Sequence, residues 1–206
     1  MMIPTRESSV DNFEMQLATN YLGHFLLFHL LKDALLKGST PEFSSRLVNV
    51  SSSGHHSSEV VFDDLNLEKE GGYTDTIAYG QSKLANIYHS NYVDRTFGPQ
   101  GIHATSLMPG GILTNLQQYF PQEVKDGWAA DKNISNFMKS VEQGAATTLY
   151  AAVSKDWEGK GGKYLEDCAE SKSEPLVPWT KGYKPYIYDT EKEDRLWEAT
   201  VKLLKL

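Results

Sequence analysis

The chain of 206 residues carries 20 basic and 27 acidic side chains, for a formal net charge of −7, and 40% of its residues are hydrophobic, enough for the core of one domain. The acidic balance, with no cluster of Lys and Arg in any one stretch, argues against nucleic acid and anionic membrane surfaces as partners. Cys168 is the only cysteine, which excludes an intrachain disulfide framework and fits a reducing compartment.

The first predicted element is a long helix that begins at Asp11 or Asn12 and ends at Gly38. Asp and Asn are suitable N-terminal caps, and glycine commonly ends a helix. Residues 21–31 are apolar nearly all round this helix, which predicts burial on two sides, against a sheet and against another helix. The apolar stretch is interrupted by polar residues and is too short to cross a bilayer.

Residues 46–51 and 102–107 are short, β-branched runs that predict buried parallel strands, each followed by a turn of small residues. A helix predicted from residue 75 or 76 to residue 97 connects them. Strand, helix and strand in this order form a crossover unit, and open parallel sheets bind ligands beyond the carboxyl ends of their strands. We therefore expect Ser52, the start of this helix and Pro109-Gly110 to lie at one edge of the sheet.

The C-terminal third predicts one more strand and two more helices. Ser140 and Gln143 fit a capping box that opens a helix to about residue 153, residues 162–165 predict a short last strand, and residues 190–203 predict a terminal helix. We expect Cys168 to be a small buried residue just after that strand. Residues 115–139, which precede the capping box, form an irregular aromatic stretch.

Tyr79 and Lys83 form the pair with the most distinctive chemistry, because residues four apart on a helix share one face. A phenol ordinarily ionises near ~10, and a lysine cation within a few ångströms is expected to lower its pKa toward neutrality. The spacing alone does not identify a site, since Tyr188 and Lys192 share it. Only Tyr79 lies between two predicted strands that end in polar turns, so we interpret Tyr188 and Lys192 as packing and surface residues.

Four motifs in the same order resemble those of the short-chain dehydrogenase/reductase family: Asn20 within N-Y-L-G-H-F, N-V-S-S at residues 49–52, Tyr79-x-x-x-Lys83, and Pro109-Gly110. The resemblance runs from about Asn12 to the end of the chain. The branch of retinol dehydrogenases and WW-domain oxidoreductases is the most similar, through L-G-H-F-L-L at residues 22–27, S-K-L-A-N at 82–86 and Y-x-x-D-C at 164–168.

The resemblance implies an α/β fold, the C-terminal part of a Rossmann-like doubly wound parallel sheet with strands near 46–51, 102–107 and 162–165. Members of the family open with a T-G-x-x-x-G-x-G turn that receives the cofactor pyrophosphate and later carry an N-N-A-G segment, and neither motif occurs here. We therefore interpret residues 1–206 as a single NAD(P)-binding domain that lacks its N-terminal half. Membrane anchors of the related branch usually lie near that end, so we expect an intracellular protein, cytoplasmic or membrane-associated.

The implied reaction is reversible hydride transfer between NAD or NADP and an alcohol or carbonyl carbon. In the family pattern Tyr79 gives or takes the hydroxyl proton, Lys83 lowers its pKa and holds the ribose, and Ser52 polarises the carbonyl, with Ser51 and Ser53 as alternatives. Asn20 is implied as the fourth catalytic residue, which bends its helix so that a backbone carbonyl holds a water linked to Lys83. The alternative is a polar residue satisfied locally.

The resemblance also implies contacts with the cofactor and with other molecules. Besides Tyr79 and Lys83, the turn that contacts the nicotinamide carboxamide contributes Pro109, Gly110, Ile112 and Thr114. The substrate is a small alcohol or carbonyl compound, and we expect it to be apolar if the insertion between residues 54 and 76 covers its pocket. The alternative is that this insertion is plain surface. Residues 115–139 are a mobile lid or a loosely packed loop, and the apolar face of the first helix often meets a twin subunit in this family.

Three other interpretations follow from the residues themselves. His55-His56 lacks a third ligand at suitable spacing, so we expect loop polarity rather than a metal site. A Ser-His-Asp hydrolase would need a G-x-S-x-G elbow, which the sequence does not contain. A catalytically silent remnant, acting if at all as an interaction protein, stays the alternative to an enzyme because an incomplete sheet leaves an open edge.

Overall fold

One four-stranded sheet organises the part of the chain that the computed structural model describes, residues 1–173 and 181–206. Its strands, in the spatial order β1-β2-β3-β4, are Ser45–Val50, Ile102–Met108, Lys163–Glu166 and Ala169–Glu170. The first three pair in parallel, and β4 pairs antiparallel with β3. The three predicted strands and the α/β class are confirmed, and β4 is a short addition that no sequence pattern predicts.

Seven α-helices are described: α1 to α7 are Met15–Leu17, Gly23–Gly38, Asp75–Phe97, Gln122–Ala130, Lys132–Phe137, Val141–Val153 and Thr190–Leu204. The predicted bounds of α3, α6 and α7 are confirmed within about a residue. The Ser140 and Gln143 capping box is present with both of its hydrogen bonds. Within residues 1–173 and 181–206, no helix is long and apolar enough to cross a membrane.

The predicted start of the first helix at Asp11 or Asn12 is wrong. The helix begins at Met15, and the carboxylate of Glu14 caps it by accepting hydrogen bonds from the backbone N–H groups of Gln16 and Leu17. Asn12 has a left-handed backbone, with φ of 62°, and its carbonyl accepts a hydrogen bond from the Asn66 side chain. Asn66 also accepts from the backbone N–H of Glu14 at 3.0 Å. A contact more than fifty residues away in sequence therefore decides where the helix starts.

Of the two sides on which the apolar helix is predicted to be buried, the described chain covers one. Only one face of α2 packs inward, through Phe25 and Phe28. Leu27 is 52% exposed and Leu30 is 70% exposed. Among the described residues β1 pairs with β2 alone, so its other edge is free as well. An apolar pattern records surface that favours burial, and it does not reveal whether a covering element is present.

Two segments that the sequence describes as an irregular stretch and an insertion contain defined structure. Residues 115–139 contain a short 3-10 turn, Asn115–Gln117, followed by α4 and α5. In the insertion between residues 54 and 76, Val60 and Leu67 are buried. The insertion is joined to α7 by ion pairs, Glu59 to Lys192 at 2.5 Å and Asp63 to Arg195 at 2.9 Å.

The β3–β4 turn overturns a smaller expectation. Cys168 is exposed rather than buried, and both Asp167 and Cys168 adopt left-handed φ values near the tip of the turn. A two-residue hairpin turn of type I′ requires positive φ at both central positions, which Asp167 and Cys168 supply. Cys168 is exposed because it lies at the tip of the β3–β4 hairpin.

The middle of α3 crosses the core, where His89 is fully enclosed. Its ring packs against Phe25 at 5.1 Å and Phe28 at 5.3 Å between centroids, and its Nδ1 lies 3.3 Å from Asn49 Nδ2. Burial lowers the pKa of His89 to about 3, and it lowers the pKa of His55 to about 3 as well. Both imidazoles therefore remain neutral in the folded chain at physiological pH.

These two histidines predict a loss of stability on mild acidification. Below about pH 6.5 the unfolded chain binds protons at both positions, whereas the folded chain does not until near pH 3, so stability falls as pH falls through this window. Each histidine should contribute about 1.4 kcal/mol per pH unit to the slope. Urea unfolding between pH 7 and pH 5 measures it.

The matched variant is His89→Leu, which should reduce that slope by the contribution of His89, about 1.4 kcal/mol per pH unit. Burial raises the pKa of Glu14 and Glu193, and these carboxyls change the stability in the opposite direction as pH falls. They are present in both proteins, so the difference between the two slopes isolates the contribution of His89. An unchanged slope in the variant would show that His89 is not held neutral by the fold.

Candidate active site

The carboxyl ends of β1 and β2 and the first turns of α3 meet at one edge of the sheet. Ser51 and Ser52 follow β1, Pro109 and Gly110 follow β2, and Tyr79 lies in the second turn of α3. The Thr74 side chain caps α3 by accepting a hydrogen bond from the Ile77 backbone, which fixes where the helix begins. The parallel register of β1 with β2 thus brings the predicted polar turns to the same edge.

Ser52 and Tyr79 are in contact at this edge. The Ser52 hydroxyl accepts a hydrogen bond from the backbone N–H of Gly54 at 3.0 Å, and the same side chain interacts with the Tyr79 phenol. A Cβ on Gly54 would lie 2.6 Å and 2.7 Å from two carbons of the Tyr79 ring and 3.4 Å from Ser52 Oγ. Gly54 therefore lets the ring and the hydroxyl come together, because any larger residue would occupy the same space.

Ser51 and Ser53 are the two alternatives to Ser52, and Ser51 has a different partner. The Ser51 hydroxyl donates to the backbone carbonyl of Lys83 at 2.7 Å, and both side chains are buried. Ser52 begins a 3-10 turn, Ser53–His56, with an extended backbone that directs its hydroxyl toward Tyr79. Of the three hydroxyls, the geometry favours Ser52 as the one that shares a site with the phenol.

Lys83 lies on the same face of α3 as Tyr79, with its Nζ 5.6 Å from the centre of the Tyr79 ring. Its ammonium donates a hydrogen bond to the backbone carbonyl of Val50 at 3.1 Å. Burial lowers the pKa of Lys83 to about 8, since a charged ammonium is costly away from water.

The expected lowering of the Tyr79 pKa by Lys83 is not seen in the described chain. Burial raises the pKa of Tyr79 above its usual value of 10.0, and only the interaction with Ser52 opposes that rise. The reason is geometric, because the Lys83 ammonium is directed at the Val50 carbonyl on the free edge of β1. The lysine thus lies close to the phenol in space while its charge stabilises another group.

Asn20 lies in a π-helical turn, Ala18–Leu22, between α1 and α2, and its side chain is buried. Its Nδ2 donates to Ser82 Oγ at 3.0 Å and to the Met1 carbonyl at 2.8 Å. Ser82 in turn donates to the Tyr79 carbonyl at 2.8 Å. The amide is therefore paired with distant residues rather than with its own turn, and one hydroxyl connects it to the helix that carries Tyr79.

The backbone carbonyl of Asn20, which the family pattern assigns to a water, has a protein contact here. His24 Nδ1 lies 3.0 Å from that carbonyl oxygen. Asn20 itself lies in the π-helical turn, a feature that is frequent at functional sites.

The turn after β2 holds the remaining candidates. Gly110 has φ of 105°, and a Cβ there would meet the Lys139 side chain at 2.6 Å. The Lys139 ammonium forms an ion pair with Asp167 and lies 3.4 Å from the Pro109 carbonyl. Thr114, which is exposed, caps the 3-10 turn that follows by accepting a hydrogen bond from Leu116. Ile112 packs into the space left by Gly144 on α6.

Comparison with known proteins finds relatives along nearly the whole chain. It is 50% identical to the short-chain dehydrogenase/reductase prx1 of Penicillium roqueforti over 199 residues, 96% of this chain and 58% of that protein. It is 36% identical to a Streptomyces antibioticus protein named "Probable oxidoreductase", over 100% of this chain and 69% of that protein. Human polyprenol dehydrogenase is 33% identical over 98% of this chain and 58% of its own length. The chain belongs to the short-chain dehydrogenase/reductase family.

A crystal structure supports the same fold. An uncharacterized protein of Mycobacterium paratuberculosis superposes with a TM-score of 0.67 and 26% identity, covering 100% of this chain and 64% of that protein. No protein-family model matches the sequence. As a short-chain dehydrogenase/reductase the chain spans 58% of the length of the Penicillium roqueforti relative.

Sequence reasoning about this short-chain dehydrogenase/reductase missed four residues of the site: Gly54, His55, Ser82 and Lys139. Three of them lie within three residues of a predicted catalytic position, so the motif spacing itself offered the signal. Lys139 offered none, because it follows α5 and lies 29 residues after Gly110 in the sequence. His55 was interpreted as loop polarity, which is wrong, since it is fully buried. The described residues contain no group of three or more His, Cys, Asp and Glu that could hold a metal ion.

Proposed function

We propose that this chain supplies the proton-transfer side of an oxidoreductase that moves a hydride between NAD or NADP and an alcohol or carbonyl carbon. The observation that carries the proposal is the contact between the Ser52 hydroxyl and the Tyr79 phenol at the carboxyl edge of a parallel sheet. Two hydroxyl donors side by side suit a single carbonyl oxygen on which negative charge develops.

Each polar side chain at this edge has a distinct task in the proposed reaction. Tyr79 gives its proton to the substrate oxygen in reduction and takes it back in oxidation, while Ser52 donates a hydrogen bond to the same oxygen. Lys83 supplies positive charge one helical turn away, which favours the phenolate when its ammonium turns from the Val50 carbonyl toward Tyr79. Asn20 positions α3 through Ser82.

The residues present suit a nicotinamide cofactor. Lys83 would hold the ribose. The turn formed by Pro109, Gly110, Ile112 and Thr114 would hold the carboxamide, and Gly110 has no side chain to cover its backbone. When bound, the cofactor supplies the hydride, and the protein supplies orientation and the proton. The preference for NAD or NADP is set by residues that contact the adenosine ribose.

We infer that the substrate is apolar and that the chain is related to the retinol dehydrogenase branch of the family. Phe137 and Met138 close over the proposed carboxamide turn, each within 3 Å of where a Gly111 Cβ would lie. The insertion is fastened to α3 because Gln81 accepts from Val61 N at 2.9 Å and donates to Leu65 O at 2.9 Å. The first of these segments brings hydrophobic side chains to the turn, and one relative carries the name polyprenol dehydrogenase. The exposed leucines of α2 support contact with a second subunit.

A silent interaction protein is the second candidate, favoured by the direction of the Lys83 ammonium and by the free edge of β1. The deciding assay uses an extended protein, in which this chain follows the residues that precede the matched stretch of the Penicillium roqueforti relative. Oxidation of NADH or NADPH with a panel of aliphatic and isoprenoid aldehydes is the expected result. A folded extended protein that binds cofactor and turns over no member of the panel would favour the silent alternative.

Cofactor binding gives a prediction for the chain by itself. We expect NADH and NADPH to bind weakly or not at all, because the sequence contains no T-G-x-x-x-G-x-G turn to receive the pyrophosphate at a helix N-terminus. Nicotinamide fluorescence should show no saturation up to about 1 mM, a binding free energy weaker than about −4 kcal/mol. The extended protein is the positive control. Micromolar affinity of the chain alone would contradict this account of where the phosphates bind.

A further inference from the structure

The turn that begins at Ser52 contains a histidine with no access to solvent. His55 is completely buried, and its ring packs against His56 at 4.4 Å and against Tyr164 at 5.1 Å between centroids. It is the third residue after Ser52 and closes the 3-10 turn, Ser53–His56, that Ser52 opens. Burying a polar ring costs free energy unless it forms hydrogen bonds, so its contacts indicate its role.

The His55 ring binds the backbone of Ser52. Its Nδ1 lies 2.6 Å from the Ser52 carbonyl oxygen, and the His55 backbone nitrogen lies 3.2 Å from the same oxygen. A carbonyl only accepts hydrogen bonds, so Nδ1 carries the proton in the neutral ring. Two donors from one residue therefore fix the peptide group of Ser52. That peptide group determines the direction in which the Ser52 hydroxyl points.

His55 is itself held in place from the C-terminal side of the chain. The Tyr186 hydroxyl donates to the His55 carbonyl at 2.6 Å. Burial lowers the pKa of the His55 ring to about 3, and the neighbouring His56 and Lys184 also oppose a positive charge there. The ring is thus a neutral donor at physiological pH, and its Nε2 is a buried acceptor without a partner among the described residues.

His56 shows that this contact is not a general property of the turn. Its Nε2 lies 2.9 Å from the carbonyl of Gly182, on a different segment, and it makes no contact with Ser52 that would fix the hydroxyl. The two adjacent histidines therefore attach the same turn to different places. One of them acts on the residue that touches Tyr79.

We propose that His55 is a positioning residue for the Ser52 hydroxyl, holding the Ser52 carbonyl through Nδ1 so that the hydroxyl stays on the Tyr79 phenol and on the substrate oxygen. The inference rests on the proposed function, because it assigns a task within that reaction. Loss of the Nδ1 donor should affect the chemical step more than cofactor binding, since His55 does not touch the turn proposed to hold the cofactor.

The first test measures kcat and KM in the extended protein. His55→Leu should lower kcat by about 10²-fold with the cofactor KM unchanged, in line with a displacement of roughly 1 Å at a reacting group. His55→Asn should restore most of the activity, because its amide nitrogen reaches the position of Nδ1. His56→Leu, at the adjacent position, should leave kcat within about threefold. A His55→Leu protein with normal kcat, or a folded His55→Asn protein as impaired as His55→Leu, would overturn the proposal.

The second test needs no turnover and uses this chain alone. Nitrogen-15 spectra of the histidine rings, assigned with His55→Asn, should show His55 as the neutral Nδ1–H tautomer from pH 7 to pH 5. An Nε2–H tautomer or a protonated ring would overturn the proposal even if the enzyme is active. If the extended protein has no activity while His55 shows the expected tautomer, the proposed function fails. The contact between His55 and Ser52 is then a structural contact only, and a role for His55 in turnover is overturned as well.

Discussion

Tyr79→Phe should lower the kcat of the extended protein by about 10²–10⁴-fold, the range of general acid–base catalysis, while cofactor affinity stays nearly unchanged. The substitution removes only the phenol oxygen. The ring remains packed against Gly54, and Ser52 keeps its hydrogen bond from the Gly54 backbone. Initial rates with either nicotinamide cofactor measure kcat, and fluorescence titration of the same variant measures cofactor affinity.

The chain supplies a matched control, because Tyr188 and Lys192 repeat the spacing of Tyr79 and Lys83. The Tyr188 hydroxyl accepts a hydrogen bond from the Tyr164 backbone at 3.1 Å, and Lys192 pairs with Glu59 and Asp189. Tyr188→Phe should cost about 1 kcal/mol of stability and leave kcat unaltered. Near-normal turnover in Tyr79→Phe, or an equal loss in both variants, would contradict the assignment of Tyr79.

Gly54→Ala should reduce turnover of the extended protein by about 10²-fold, an effect comparable to a displacement of roughly 1 Å at a reacting group. The added methyl group would lie 2.6 Å from the Tyr79 ring, well inside the contact distance of two carbon atoms. Either the ring or the turn must move, and both changes separate the phenol from Ser52. The free energy of unfolding should fall by about 1–3 kcal/mol, as in other overpacked sites.

Gly38→Ala is the control for the loss of a glycine as such. Gly38 is the last residue of α2, its φ is not left-handed, and the nearest atom to an added Cβ is Ser45 Oγ at 3.7 Å, at the opposite end of β1 from the site. The variant should keep its turnover and unfold at about the same denaturant concentration. An unimpaired kcat in Gly54→Ala would show that turnover does not depend on the close contact of the Tyr79 ring with Gly54.

Local patterns were sufficient for the elements that organise the site. The runs ending at Val50 and near Leu107 predicted two parallel strands, and the pattern between them predicted a helix from residue 75 or 76 to residue 97. Such signals depend on residues adjacent in sequence, so they are readable without the fold. They were enough to predict that Ser52, Tyr79 and Pro109 lie at one edge.

Electrostatic expectations were less successful, because pKa values depend on burial and on where a charge is directed. The spacing of Tyr79 and Lys83 placed them on one face of α3, but it contained no information on the Val50 carbonyl that receives the lysine hydrogen bond. It also did not reveal that burial raises the pKa of Tyr79. Distance between two groups is a local property of a helix, whereas their desolvation is a property of the whole site.

By itself the sequence determined the order of strands and helices, the pair of Tyr79 with Lys83, and the resemblance to short-chain dehydrogenases. Only the tertiary structure decided that Glu14 rather than Asn12 starts the first helix, that His55 is buried beneath Ser52, and that Gly54 makes room for the Tyr79 ring. The physical reason is the same in each case. These features arise from contacts between residues that are close in space through the fold, and side-chain packing and desolvation are set by those contacts.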